Sequence, residues 1–219
     1  MAKKATEAPK ASRHVLKRPS MGKQVPTFSS SICVDGRQIV KCEKKSDLTK
    51  WLRKHHAVAS SVWLERWRQG NEKHIPQSDI VKELLCFGWI DSTVRKLDER
   101  RSMIMISPRR VGSSWSKLNK TYVAELEAKG LLQKSGAEKI ARAKADGSWT
   151  FLNDVDKLLQ PCDLKDGLRR KGSKAVLGWD KIPPSLRRGL LEKLKRSKGE
   201  DTRKKYIEQI VQEALRRNS

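Results

Sequence analysis

Paired cysteines, long apolar runs and recognisable catalytic motifs are all missing from this chain, and each absence closes off a class of function. Four cysteines stand at positions 33, 42, 86 and 162, with no Cys-x-x-Cys pair and no histidine at ligand spacing, so neither a zinc site nor a redox dithiol is supported. Cys86 lies in the run Leu84-Leu85-Cys86-Phe87 and reads as a buried small hydrophobe. No stretch approaches the roughly 18–20 continuous apolar residues of a membrane span. The N-terminus also lacks the apolar block of a secretory signal. These absences point to a reducing, intracellular location, the cytoplasm first. Phosphate loops, nucleophile elbows, dinucleotide fingerprints and the His-Glu-x-x-His zinc motif are missing too, so no catalytic residue, metal or cofactor is expected.

What is present in excess is positive charge. Lys and Arg number 49 against 25 Asp and Glu, a formal charge of +24 over 219 residues. Residues 1–45 hold 11 basic and 3 acidic residues, so residues 46–219 still carry +16 and the folded part is itself basic. Such a field favours polyanions, nucleic acid or an anionic membrane surface, and it equally suits a solvated cationic surface that keeps the protein soluble. Seven Trp supply large apolar area at few positions, enough for one main core with appendages.

Residues 1–40 read as a flexible basic tail, because the first thirty mix Lys, Arg, Ser, Pro and Ala with few large apolar side chains. The tail also suits an organelle transit peptide or a nuclear-import patch. From Ser46 a helix is predicted, with Leu48, Trp51 and Leu52 on one face and His55 and His56 at its end. Val62 to Arg68 reads as a strand, and Ser78 and Asp79 open a helix that stops at Gly88. Residues 92–97 and 101–106 flank Asp98-Glu99-Arg100 as an antiparallel hairpin. Ser113 or Ser114 starts a helix ended by Gly130, and residues 135–146 form another, stopped at Gly147. Residues 150–164 read as a linker. A basic C-terminal section, 165–219, contains two apolar helix faces, Leu186, Leu190, Leu191 and Leu194, then Ile207, Ile210, Val211, Ala214 and Leu215. These form a helical hairpin that must bury its stripe against the main body. The expected fold is α+β and mostly helical: a small antiparallel sheet covered by helices, a core over 41–150, and the C-terminal hairpin docked outside.

The densest cluster of chemistry-bearing residues is Gly88-Trp89-Ile90-Asp91 followed by Arg109-Arg110-Val111-Gly112-Ser113-Ser114-Trp115 and Asn119. Two guanidinium groups leading into a Gly-Ser-Ser helix start would suit a phosphate or carboxylate, bound by Arg forks and exposed backbone N–H groups. The candidate ligand site is therefore Trp89, Asp91, Arg109, Arg110, Ser113, Ser114, Trp115 and Asn119. The competing structural reading is that Ser114 caps a helix, Arg109 or Arg110 pairs with Asp91, and the tryptophans are core.

The run LLCFGWIDSTVRKLDERRSMIMISPRRVGSSWSKLNKTYVAELEAKGLL, followed by SGAEKIARAKADGSW, resembles the YdeI/OmpD-associated family, also called OmdA-like or bacteriocin-protection proteins. The shared features are a Cys-Phe-Gly-Trp-Ile-Asp stretch, a Pro-Arg-Arg segment and a Trp-Ser-Lys-x-Asn helix start. The segment EDTRKKYIEQIV is similar to that family's closing helix. The likeness spans roughly residues 45–215, while the N-terminal tail and the segment RRKGSKAVLGWDKIPPSLRRG are richer in charge than the family pattern. The resemblance implies a non-enzymatic role in protection against bacteriocins, cationic peptides or envelope stress, with an anionic small molecule or a protein as partner. Two other readings stand beside it. One is a nucleic-acid-associated protein using the tail and residues 165–205, which hold 15 basic and 5 acidic residues. The other is a small-molecule enzyme using Asp91 or Cys86 near the arginines.

Overall fold

The computed structural model describes residues 33–218, so the part of the expected tail up to residue 32 lies outside the described residues. Residues 33–40, assigned to that tail from composition, instead form two strands, β1 (Cys33–Val34) and β2 (Arg37–Val40), joined through Asp35 and Gly36, both at positive φ. β2 belongs to the sheet because Ile39 and Val40 are apolar on its two faces, and both are buried.

The fold is α+β and mostly helical. α1 (Lys45–His55) precedes β3 (Val62–Trp67), then α2 (Gln77–Cys86) and the hairpin of β4 (Trp89–Lys96) and β5 (Arg101–Pro108). The sheet order is β1-β2-β3-β5-β4. β3, β5 and β4 pair antiparallel as the hairpin pattern predicts, and β2 adds to β3 in parallel, so the sheet is mixed. Alternation along β3 and β5 sends Val62, Leu64, Ile104 and Ile106 to one face. There they pack under Leu48 and Leu52 of α1 and Ile80, Leu84 and Leu85 of α2. The other face carries a smaller apolar set built on Ile39, Trp63 and Met103.

α3 (Lys117–Ala128) and α4 (Lys134–Ala145) close this core with Trp115, Val123, Leu126, Ile140 and Ala143. Helix ends differ in detail from the sequence reading. α1 begins before Ser46, and Asp47 in its first turn reaches back to the residues ahead of it, its carboxylate accepting from the backbone N–H of Glu43 (3.2 Å) and of the N-cap Lys44 (3.3 Å). α3 is capped by Ser116, whose hydroxyl accepts from the Asn119 N–H (3.2 Å), and not by Ser113 or Ser114.

The C-terminal third departs most from expectation. The predicted linker 150–164 contains α5 (Asn153–Asp156) and buries Leu152, Val155 and Leu164. From the end of that linker onward the chain forms α6 (Cys162–Arg170) and α7 (Ser173–Lys181), ahead of the two expected helices α8 (Pro184–Arg196) and α9 (Glu200–Arg217). Except for Leu186, which stays exposed, the apolar stripes of α8 and α9 pack into a second core with Leu168, Ala175 and Trp179, not against the sheet domain. Small residues permit this. A Cβ at Gly178 would overlap the backbone carbonyl of Ala214, so α7 and α9 cross at backbone contact. Polar links join this bundle to the rest: Lys120 Nζ to Asn153 Oδ1 (2.6 Å), and Arg196 to the Ser114 hydroxyl.

Candidate functional site

The end of β5 feeds the segment 109–116, which turns back at Gly112 (φ +72°) before α3 begins. Arg109 is fixed at its backbone by donating its N–H to the Gly88 carbonyl (2.9 Å). Gly88 itself is left-handed at φ +72°, and it has no room for a side chain, since a Cβ there would lie 2.7 Å from Lys139 Cγ and 2.9 Å from the Ser135 carbonyl. The α2–β4 turn, the end of β5 and α4 are thereby brought together.

The Arg109 side chain is 97% buried, with a relative exposure of 3%. Its guanidinium lies over the Trp115 indole, 3.7 Å from the ring centroid, and Trp115 packs in turn against Trp149 (5.0 Å, 48°). Nη1 donates to the Ser114 carbonyl (3.1 Å), while Nε and Nη2 are buried with no hydrogen-bond partner among the described residues. Burial pushes the Arg109 pKa down to about 10, with Asp91 opposing the fall. Arg109 makes no ion pair with Asp91. That carboxylate accepts from Gln77 Nε2 (2.7 Å), and it also opposes the desolvation of Arg66, whose pKa is lowered by burial.

A small cleft opens beside Arg109, lined by Arg110, Gly112 and Ser113 on one side and by Lys139, Arg142 and Asp146 on the other. Its free volume is about 10 Å³, room for one water-sized group. Among the described residues none of Arg109, Arg110, Lys139 and Arg142 has a carboxylate within 4.0 Å. Asp146 is the one acid lining the cleft. The nearby Ser148, whose backbone N–H donates to it (2.9 Å), with the Gly112 amide and Arg142, holds it below the ordinary carboxylate range, so it stays charged at neutral pH. Four cations thus face one anion.

Of the residues singled out in the sequence, Arg109, Arg110, Ser113 and Trp115 line this cleft. The others do not. Trp89 is core: its Nε1 donates to the His56 carbonyl (3.2 Å) and its ring meets Trp51 edge-on. Asp91 is engaged with Gln77, Ser114 turns its hydroxyl to Arg196, and Asn119 belongs to the first turn of α3. The helix-start amides expected at Ser113–Trp115 are not there, because the Gly112 turn has the Ser113 N–H donating to Arg110 O (3.3 Å) and α3 starts later. Sequence reasoning missed Lys139, Arg142 and Asp146. Lys139 and Arg142 sit three apart on α4 beside the buried Ile140 and Ala143, a spacing that marks one helix face but not what it faces.

Burial also pushes the Cys86 thiol up to about 11, so negligible thiolate forms at neutral pH. Among the described residues no group of three His, Cys, Asp or Glu is placed to hold a metal, and no helix is long and apolar enough to cross a membrane. Residues 40–139 match the model of a family described as a domain of unknown function (DUF8412), a stretch running from β2 to Lys139 of α4. No curated protein and no solved structure matches the chain.

Proposed function

We propose that this protein is a non-enzymatic binding protein of the YdeI/OmpD-associated type that holds an anionic group of a small molecule or partner at the Arg109 cleft, in a protective or stress-related role. The observation carrying this reading is the uncompensated charge. A buried guanidinium with two unpartnered nitrogens and three further cations meet a single carboxylate. Unsatisfied buried donors are costly, and an oxyanion relieves that cost through charge-assisted hydrogen bonds. Because the free space holds only a water-sized group, the anion sits at the mouth between Arg110, Lys139 and Arg142 and turns one oxygen toward Arg109. The site offers positive charge but no activated nucleophile or base, so binding is the function it supports.

Inorganic phosphate is the probe. If it binds with a Kd of about 1 mM, then about 20 mM phosphate stabilises the fold by about 2 kcal/mol, or about 4–8 °C in Tm. The double variant K139Q/R142Q is expected to keep its Tm in plain buffer and to lose the phosphate response. A wild-type protein that responds no more to phosphate than to chloride at equal ionic strength ends the proposal.

A further inference from the structure

A second basic surface lies away from this cleft, at the tip where α6 turns into α7. Residues 165–174 hold Lys165, Arg169, Arg170, Lys171 and Lys174 against the single acid Asp166, and all six are exposed. Arg169 approaches Asp166 only at 4.0 Å, and Lys171 and Lys174 have no acidic partner among the described residues. Arg170 and Lys171 continue to Lys204 of α9 around a groove of about 400 Å³ floored by Gly167, Ile207 and Val211, where Glu208 is the one acid in the lining and Glu200 stands 4.0 Å from Lys204.

Helix stability does not account for all of this charge. Arg169 and Arg170 complement the negative end of α6, but Lys174 stands in the first turn of α7, where no acid is present and a cation opposes the helix dipole. Lys171 is the C-cap of α6, where its charge suits the helix end, so Lys174 is the cation that the helix dipoles leave unexplained. The scaffold beneath is held by an ion pair and by burial. Arg203 of α9 clamps Asp163 of α6 through two bonds, Nε to Oδ2 (2.5 Å) and Nη2 to Oδ1 (3.0 Å), and Trp179 is buried behind α7. Exposed, mutually repelling cations on a packed bundle suit an external polyanion.

We propose that this tip docks the phosphodiester backbone of a nucleic acid without reading its bases. An anionic bilayer fits less well. It calls for bulky apolar wedges beside the cations, whereas this bundle buries its Trp179 and leaves only Val176 and Leu177 exposed next to the patch. Nor does any recognition motif in the sequence suggest base readout, so the surface holds the backbone alone.

The test uses the full chain with a duplex and a single strand of mixed sequence, each of about 20 nucleotides length, titrated across a salt series. Five phosphate contacts give a slope of log K against log salt of about −4 to −5 on duplex, a loss of about 500-fold between 50 and 200 mM. The variant R169Q/R170Q/K171Q/K174Q is expected to make that slope shallower by about 3 to 4 units. A control variant K50Q/R53Q/K54Q/K129Q removes the same charge from exposed positions elsewhere and is expected to leave most of the slope intact. Equal losses in both variants would show diffuse attraction and overturn the assigned surface. Absence of binding to either nucleic acid at low salt overturns it as well, and so does preferential binding to phosphatidylserine vesicles in parallel assays. None of these substitutions touches the Arg109 cleft, so the phosphate response there stands or falls separately.

Discussion

Replacing Arg109 by Met removes the charge from a site whose cost and benefit can both be worked from the structure. Met keeps most of the aliphatic volume over the Trp115 ring, so little cavity is created. The fall of the Arg109 pKa to about 10 places the charged form at a disadvantage of about 3 kcal/mol in the folded state. Against that gain on removal stand the cation–π contact with Trp115, worth about 2 kcal/mol when desolvated, and the charge-assisted bonding of Nη1, shared between the Ser114 carbonyl (3.1 Å) and the more distant Ser113 carbonyl (3.5 Å), worth about 2 kcal/mol together. The two sides nearly cancel. Arg109→Met is expected to change stability by no more than about 1 kcal/mol in plain buffer, or about 2–4 °C in Tm, while abolishing stabilisation by phosphate. The pH dependence carries a sign. Below about pH 10 the buried guanidinium is charged and its penalty is fully present. Above it the folded state releases the proton before the unfolded chain does, so the unfolded state binds more protons and stability rises with pH. The difference between wild type and variant, measured by chemical denaturation at about pH 8 and pH 10.5, should therefore shift in favour of the wild type at the higher pH. A variant that loses more than about 4 kcal/mol at pH 8 would refute the argument, since the interactions of Arg109 would then outweigh its desolvation and make it a structural anchor.

Gly178→Ala is expected to cost about 3 kcal/mol or more, because the new methyl must push α9 away at Ala214; circular dichroism melts would read the loss, and a Tm within about 2 °C of wild type would show that the α7–α9 crossing yields easily. Under native conditions a maleimide is expected to label the exposed Cys33 and Cys162 quickly. Cys42 and Cys86, buried and with pKa pushed up to about 12 and about 11, react only after denaturant is added, and mass spectrometry counting four rapid additions would contradict that burial.

The amino-acid pattern by itself determined the elements whose apolar spacing has a clear period: α1, β3, α2, the β4–β5 hairpin, α3, α4, α8 and α9 are all legible because side chains repeating every two or 3.6 residues bury one face. It also marked Arg109, Arg110, Ser113 and Trp115 as a cluster, since they adjoin in the chain. What it could not decide were partnerships between distant segments. β1 and β2 are too short and too close to charged residues for a pattern, and only the pairing of β2 along β3, and of β1 along β2, makes them strands. α6 and α7 lie in a section read as basic and helical but carry so much Lys and Arg that no apolar period marked them as helices, yet Gly167 and Gly178 let them approach α9 closely and bury Leu168, Ala175 and Trp179. Lys139, Arg142 and Asp146 join the cleft for the same reason: Gly88 permits α4 to lie against the end of β5, and a close approach across some fifty residues of chain is a property of packing, which no local spacing encodes.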